Sequence, residues 1–412
     1  MRLLLITVAY PPYIFSESLC NAKLALNLQD AGIHVDVISR VGMGPAYDAL
    51  WGYPWQELKE NVHEVTYPLG NKLARFVDVV RSGIELGCPM PVEGLRWARR
   101  ALSLAMKMHR NHPYDAVLTR SPSDIPHLVG RMMKRKTGVR WIANWNDPAF
   151  TIWPKPYEHE VSSRYARRYN KWVKSCLREA TLNTFPSKQL LEHFKEMFPE
   201  CFMQNAAEVV PHVQLPRRLF HEVEPEKTRC LRMCHAGNLS VERNPANLFR
   251  GIRQACKSYG CDIRLYIMGQ YSEDIEKLAK IEGVADNVSF IPSCSYMDSL
   301  QKLQEFDVLV LVEAEMEKGI FAPSKLTDYA QCNRPILVVS PKMGYAKDLS
   351  QLSEDCVYAD NQNVQDIVNG IMVLHSRKNE GVTFDREEGV SRRAGYTGEQ
   401  VVDIYRRILN KY

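Results

Sequence analysis

Residues 3–8, Leu-Leu-Leu-Ile-Thr-Val, form an almost unbroken apolar run that stops at Tyr10-Pro11-Pro12. A run this short and this apolar predicts a strand buried on both faces, as in a parallel sheet. Leu19, Ala22, Leu24, Ala25 and Leu28 then recur at helical spacing, and Ala31-Gly32 supplies a helix stop. Val35, Asp36, Val37 and Ile38 make a second strand, so the chain opens with a βαβ unit.

The same alternation continues. After an irregular stretch rich in Trp, Tyr and Pro, the pattern predicts helices over 98–108, 125–136, 158–179 and 188–197, the last capped by Ser187. Between them fall strands at 116–119, 140–143 and 181–184, and Glu208-Val209-Val210-Pro211 closes the series. Residues 213–229 mix charge and proline without a period and read as a linker. A second series follows: strands at 231–236, 263–268, 288–291, 308–312 and 335–339, with helices over 245–259, 273–282, 296–304 and 324–332. A last helix over 393–410 has no strand after it and can pack back onto the first half.

Strand–helix alternation in two series predicts an α/β protein of two doubly wound parallel-sheet, Rossmann-like domains with a cleft between them. The expected division is 1–212, a linker over 213–230, a second domain over 231–392 and a C-terminal helix over 393–412. Ligands of such sheets bind outside the carboxyl ends of the strands, so the cleft is the default site.

Composition narrows the class. The 412 residues are 45% hydrophobic and 25% charged, which excludes a disordered, collagenous or coiled-coil chain. The net charge of +5 is mild and suits a protein that handles anions. The eleven cysteines match no paired zinc spacing and read as structural thiols of a reduced, cytoplasmic chain. The N-terminus is too soon interrupted for a signal peptide, and no apolar run reaches the length of a membrane span.

The segment 319–337, Gly-Ile-Phe-Ala-Pro-Ser-Lys-Leu-Thr-Asp-Tyr-Ala-Gln-Cys-Asn-Arg-Pro-Ile-Leu, opens where a parallel strand ends. Pro323 and Ser324 start a helix whose free N–H groups would face an anion, and Lys325 adds a cation that can reach a phosphate. Asp328, one turn on, could accept both hydroxyls of a ribose. Equally, this could be a capped surface helix with Lys325 in water. The loop His235-Ala236-Gly237-Asn238-Leu239-Ser240-Val241-Glu242-Arg243 follows the first strand of the second series. There Gly237 lets the backbone approach a ligand.

Together these segments resemble the signature of retaining glycosyltransferases of the GT-B fold, family four, in the branch that carries Pro-Ser-Lys. Asp328 stands at the second acid of that family's glutamate pair, and Ile320 stands where the first would be. Arg243 falls at the family's lysine and Asn238 at its arginine. Ile267-Met268-Gly269-Gln270 is similar to its strand-to-Gly turn. Thr7 to Ser18 resembles its first loop, Trp141 to Pro148 a branch motif, and Val210-Pro211-His212 the end of its first domain. Arg120 falls near a cleft histidine of many members. The matches cover most of the chain except 40–95 and the tail.

The resemblance implies a nucleotide-sugar site formed by Gly237, Asn238, Arg243, Gly269, Phe321, Ala322, Pro323, Ser324, Lys325 and Asp328. It implies an acceptor side formed by Ser16, Glu17, Arg120 and Asp147, with Arg243, Lys325 and Asp147 acting on the reaction. The implied activity is transfer of a sugar from a nucleotide diphosphate to a hydroxyl with retention, in cell-surface polysaccharide or glycolipid assembly. No Asp-x-Asp occurs, so neither a metal nor another cofactor is expected. The first glutamate's task can pass to the backbone of 319–322 or to Glu317. A non-catalytic binding protein and a sugar-nucleotide 2-epimerase remain alternatives on the same scaffold. The expected helix over 158–179 carries Arg164, Arg167, Arg168, Lys171 and Lys174, with Trp153, Tyr157, Tyr165, Tyr169 and Trp172 in or beside it. Such a run is commonly a solvated face, and no nucleic-acid motif accompanies it. In the family, a basic aromatic region over 153–178 can meet a lipid-linked acceptor at the inner face of a membrane.

Overall fold

The structure is a computed structural model that describes residues 1–11, 16–41, 59–66, 72–88, 90, 92–203, 205–224, 228–381 and 389–412. Pro12 of the first expected break and residues 225–227 of the expected linker lie outside the described residues.

Two sheets organise the chain. The first has strands β1 Arg2–Ile6, β2 His34–Arg40, β3 Val62–Val65, β4 Ala116–Arg120, β5 Arg140–Asn144, β6 Leu182–Phe185 and β7 Ala207–Val209, in the order β3-β2-β1-β4-β5-β6-β7. The second has β8 Leu231–Ala236, β9 Ile263–Gly269, β10 Val288–Pro292, β11 Val308–Val312, β12 Ile336–Ser340 and β13 Cys356–Asp360, in the order β10-β9-β8-β11-β12-β13. Every pairing in both sheets is parallel. The doubly wound α/β fold expected from the alternation is the fold observed.

The helices are α1 Ser16–Asp30, α2 Lys72–Leu86, α3 Leu95–Asn111, α4 Ile125–Thr137, α5 Ser163–Glu179 and α6 Lys188–Met197 in the first half. In the second half they are α7 Ala246–Tyr259, α8 Glu273–Ile281, α9 Tyr296–Leu303, α10 Lys325–Gln331, α11 Tyr345–Ser350, α12 Val364–Asn379, α13 Val390–Arg393 and α14 Gly398–Lys411. β1 shows why its run is apolar throughout. Leu3 and Leu5 join the cluster of Leu24 and Leu28 on α1 and Tyr405 on α14, while Leu4 and Ile6 join Trp97, Leu128 and Trp141 on the other face.

Several elements differ from the pattern reading. The expected final helix is two helices, parted at Gly395 (φ 74°), after which Thr397 caps α14 by accepting from the Gln400 N–H. α14 lies on the first half: Arg406 donates to the Ala31 carbonyl at 3.1 Å and Arg407 meets Glu208 at 2.9 Å. α5 begins at Ser163, because Ser162 caps it by accepting from the Tyr165 N–H at 3.2 Å. The stretch taken as a linker is anchored, with Val213, Leu215, Leu219 and Phe220 buried and the Gln331 side chain bonded to both backbone groups of Leu215. All eleven cysteines are unpaired. Among the described residues no helix is long and apolar enough to cross a membrane.

In each sheet the strand order reverses at one place, between β1 and β4 and between β8 and β11. The crevice outside those strand ends is where such folds take ligands. The segments leaving these strands are those that start at Thr7, Ser121, Gly237 and Glu313.

Candidate active site in the cleft

The segments after β1, β8 and β11, with the one that follows β5, close around one cavity of about 240 Å³. Its second-domain wall is Arg243, Glu313, Phe321, Ala322, Pro323, Ser324 and Lys325. Its first-domain wall includes Ser16, Glu17, Asn146, Asp147, Trp153, Tyr157 and His212.

The second-domain wall is built on two loops. Gly237 has φ 110°, and a Cβ there would stand 3.1 Å from Lys325 Nζ, so the glycine makes room for the lysine head. Gly269 sits against the same turn, where an added Cβ would come within 3.0 Å of the Gly237 carbonyl oxygen. Asn238 joins the two turns: its Oδ1 accepts from the Gln270 N–H at 3.2 Å. Lys325 is desolvated and sits near Arg243, and both effects lower its pKa to about 8 against the pull of Glu313. His235 lies beneath, completely buried, its Nδ1–H donating to the Val310 carbonyl at 2.9 Å. Burial keeps it neutral, with Lys325 adding to the effect.

The loop 319–324 is pinned at both ends. Gly319 donates to the Met343 carbonyl at 2.9 Å and accepts from the Tyr345 N–H at 2.8 Å. Across the cleft, the Ile320 carbonyl accepts from Ser187 Oγ at 3.2 Å and the Ala322 carbonyl from His212 Nε2 at 3.1 Å. Ile320 is 3% exposed and belongs to the apolar cluster of the first domain, with Trp145, Ile152 and Phe194. A glutamate there would place a charge in that cluster, which accounts for isoleucine at this position. Phe321 meets Trp153 and Tyr157 at ring distances of 5.4 and 5.6 Å.

The first-domain wall is acidic. Glu17 is buried, accepts from Arg120 Nε at 3.3 Å and is bonded to Asn146 Nδ2. Burial raises its pKa to about 8, and Arg120 opposes the rise. Asp147 is raised to about 6 by burial, with His212 opposing. His212 itself is lowered to about 4 by burial, which keeps it neutral as a donor to Ala322.

Of the residues singled out from the sequence, Ser16, Glu17, Asp147, Arg243, Phe321, Ala322, Pro323, Ser324 and Lys325 line the cavity. Gly237, Asn238 and Gly269 support its floor. Four details correct the sequence reading. Arg120 stands behind Glu17 as its buried counter-ion and does not line the cavity. Asp328 is off the cavity too, on the α1 side, where Lys23 Nζ reaches it at 2.9 Å and the Tyr296 hydroxyl at 2.7 Å. The helix expected to aim its start at an anion is short: Ser324 makes no side-chain cap, and the Leu326 and Thr327 amides bond back to Pro323 and Ser324. Charge at this wall therefore rests on Lys325 and Arg243. Glu317 is exposed, and the acid at the cavity is Glu313.

Glu313, His212, Lys23, Trp153 and Tyr157 were not assigned to the site from sequence. Trp153 and Tyr157 turn into the cleft, Tyr169 and Trp172 are buried, and Tyr165 is half-buried against Phe150 and Tyr169, so the region 153–178 presents chiefly its arginines and lysines to solvent. Among the described residues no group of three or more His, Cys, Asp or Glu is placed to hold a metal ion.

Comparison with known proteins agrees with this geometry. Residues 20–211, from within α1 to just past β7, match the family model described as a glycosyl transferase 4-like domain. No curated protein matches the sequence. Among solved structures, Anabaena HepE in complex with UDP and glucose is similar at 13% identity over 100% of both chains, with a TM-score of 0.63. The lipopolysaccharide outer core galactosyltransferase WaaB is similar at 14% identity over 100% of both chains, with a TM-score of 0.62. The UDP-GlcNAc 2-epimerase from Methanocaldococcus jannaschii covers 100% of both chains at 10% identity, with a TM-score of 0.53. Residues 20–211 thus resemble a glycosyl transferase 4-like domain, and the two parallel sheets facing one cleft share the fold of these solved structures.

Proposed function

We propose that the chain moves a sugar from a nucleotide diphosphate to a hydroxyl acceptor with retention, without a metal, in assembly of a cell-surface polysaccharide or glycolipid. The observation that carries this reading is the polarity of the cavity: Lys325 and Arg243 on one wall, Glu17 and Asp147 on the other. A diphosphate held by the two cations would leave as a stabilised anion, where such stabilisation has most leverage on rate. Asp147, ionised above about pH 6, would accept a hydrogen bond from a neighbouring hydroxyl of the acceptor and so orient the attacking oxygen. Retention would use a donor phosphate oxygen as the proton acceptor, so no protein nucleophile is required.

The test is thermal denaturation with UDP-, GDP-, ADP- and TDP-sugars and no added metal. A ligand at 100 times its Kd adds about 2.7 kcal/mol, a readable rise in Tm. A rise with one nucleotide class, lost in Arg243→Ala, supports the donor site. No rise from folded protein with any of them removes it. One observation favours the 2-epimerase as a second reading: titratable groups of both kinds, Glu17 and Asp147 raised and His212 lowered, line the cavity. A bound UDP-N-acetylglucosamine that epimerises without an acceptor, followed by proton NMR, would decide for it.

For the acceptor we propose a lipid-linked glycan at an anionic membrane surface, on the cytoplasmic side, met by α2 and not by 153–178. Leu73, Phe76, Val77, Val80 and Ile84 form one outward stripe of α2, 74%, 68%, 58%, 47% and 77% exposed. Asp78 faces inward instead, bound by Arg96 at 2.6 Å and Arg99 at 2.5 Å. Lys72 and Arg81 flank the stripe, as in helices that lie in a membrane interface. Residues 1–212 carry 27 lysines and arginines against 20 carboxylates, and residues 213–412 carry 26 against 28, so the basic half is the one with the stripe. Sedimentation with phosphatidylglycerol vesicles should pull down the full chain, and Phe76→Ser with Ile84→Ser should release it. Equal recovery with and without vesicles would refute the membrane contact.

A further inference from the structure

Glu313 is the first residue after β11, at the point where the second sheet reverses its strand order. Its backbone is held on both sides: the N–H donates to the Val339 carbonyl at 2.9 Å, and the carbonyl accepts from Asn361 Nδ2 at 3.1 Å. The strand end therefore fixes where the side chain starts. The residue is 9% exposed and lines the cavity with Lys325 and Arg243. Among the described residues, no donor is hydrogen-bonded to its carboxylate and no cation lies within ion-pair distance. A mostly enclosed carboxylate that faces the cavity without a protein donor takes its hydrogen bonds from what enters the cavity. The two nearby cations offset part of the cost, which is why burial raises its pKa only against their pull.

The missing donors must come from whatever fills the cavity. A diphosphate cannot supply them, because its oxygens accept and carry negative charge. Lys325 and Arg243 suit those oxygens, and Glu313 repels them. The neutral, O–H-rich parts of a sugar nucleotide are its ribose and its sugar, and only the sugar has to sit between the diphosphate and the acceptor wall, in the cavity that Glu313 lines. Two neighbouring hydroxyls present two donors to the two oxygens of one carboxylate. We propose that Glu313 reads the transferred sugar of the donor, accepting hydrogen bonds from two of its hydroxyls, and so selects donor sugars that carry a free hydroxyl pair there. This rests on the reading of the cavity as a donor site.

A site built to accept a hydroxyl discriminates strongly against a ligand that lacks it, because the buried acceptor is then left unpaired. The residue is thus a specificity determinant, distinct from the two cations that would hold the leaving group.

The experiment compares the full-length protein with Glu313→Gln and Glu313→Ala by calorimetric titration. The probes are UDP-glucose, UDP-galactose, GDP-mannose and ADP-glucose, each beside its bare diphosphate. In the parent protein the preferred sugar nucleotide should bind more tightly than its diphosphate. Both variants should lose about tenfold of that ratio, while the bare diphosphate binds as well or better. Glu313→Gln keeps the shape and removes an unpaired buried charge, so it should fold with an unchanged or higher Tm. If Glu313 were only a counter-ion of Lys325 and Arg243, diphosphate and sugar nucleotide would shift together and the ratio would hold. An unchanged ratio overturns the proposal and leaves the donor site standing. No binding of any diphosphate by the folded parent protein overturns both.

Discussion

Replacing Lys325 by alanine should lower kcat by roughly 10²–10³-fold while leaving Tm within a few degrees. The two expectations have one cause. Lys325 is a desolvated cation beside Arg243, and its pKa of about 8 is the sign of an unfavourable setting. Its head rests against Gly237, where the chain has given up a side chain to admit it. A charge kept in such a place does little for folding and gains its partner only when an anion arrives. Removing it relieves the empty protein and deprives the departing diphosphate. Initial rates with the donor found by the nucleotide panel, beside melting curves, check both halves. Unchanged kcat would remove Lys325 from the reaction, and a collapse of Tm would make it a structural residue.

The same group sets a pH dependence whose sign is fixed. Lys325 is useful as a cation, so it serves below its pKa of about 8 and is lost as pH rises through that value. The rate constant kcat/KM, which follows the free enzyme, should fall above about pH 8. Lys325→Arg should move that limb out of range, since an arginine stays charged. A limb that persists in the arginine variant would belong to another group, with Glu17, also near 8, the first to examine.

What the sequence disclosed and what it hid have physical reasons. The pattern of β1, α1 and β2 was legible because each element buries its apolar positions, and burial is what periodicity reports. α2 has a clean helical period as well, yet 40–95 read as irregular, because pattern reading takes an apolar stripe to face inward and this one faces out. β13, Cys-Val-Tyr-Ala-Asp, is too short and mixed to stand out, though it completes the second sheet. At the cleft, the contiguous stretches 237–243 and 319–325 were legible as units. Glu313 was not, because nothing local marks the end of an apolar strand as the edge of a cavity. Ile320 looked like a lost functional residue and is a packing residue of the opposite domain.

The Lys23–Asp328 pair was out of view, since its partners are 305 positions apart in sequence. It also carries the largest expected effect on stability. Lys23 is 2% exposed at its side chain, and its Nζ meets Asp328 Oδ1 at 2.9 Å and Thr327 Oγ1 at 2.7 Å. α1 contributes the lysine and α10 the acid, so the pair crosses from one domain to the other. Lys23→Met should cost about 3–5 kcal/mol, because Asp328 would stay buried with only the Tyr296 hydroxyl to satisfy it. Lys23→Met with Asp328→Asn should recover most of that loss, since a neutral amide needs no counter-charge. Chemical denaturation of the parent, both single variants and the double variant gives the coupling directly. The cleft offers the single variant one escape, which is to open and let water reach Asp328. A small stability loss with a larger radius of gyration in X-ray scattering would mean that the pair sets the open–closed balance. A small loss with an unchanged radius would mean that it does neither. Nucleotide binding separates the roles of the two residues. If Asp328 holds the ribose, the double variant regains its stability and not its affinity.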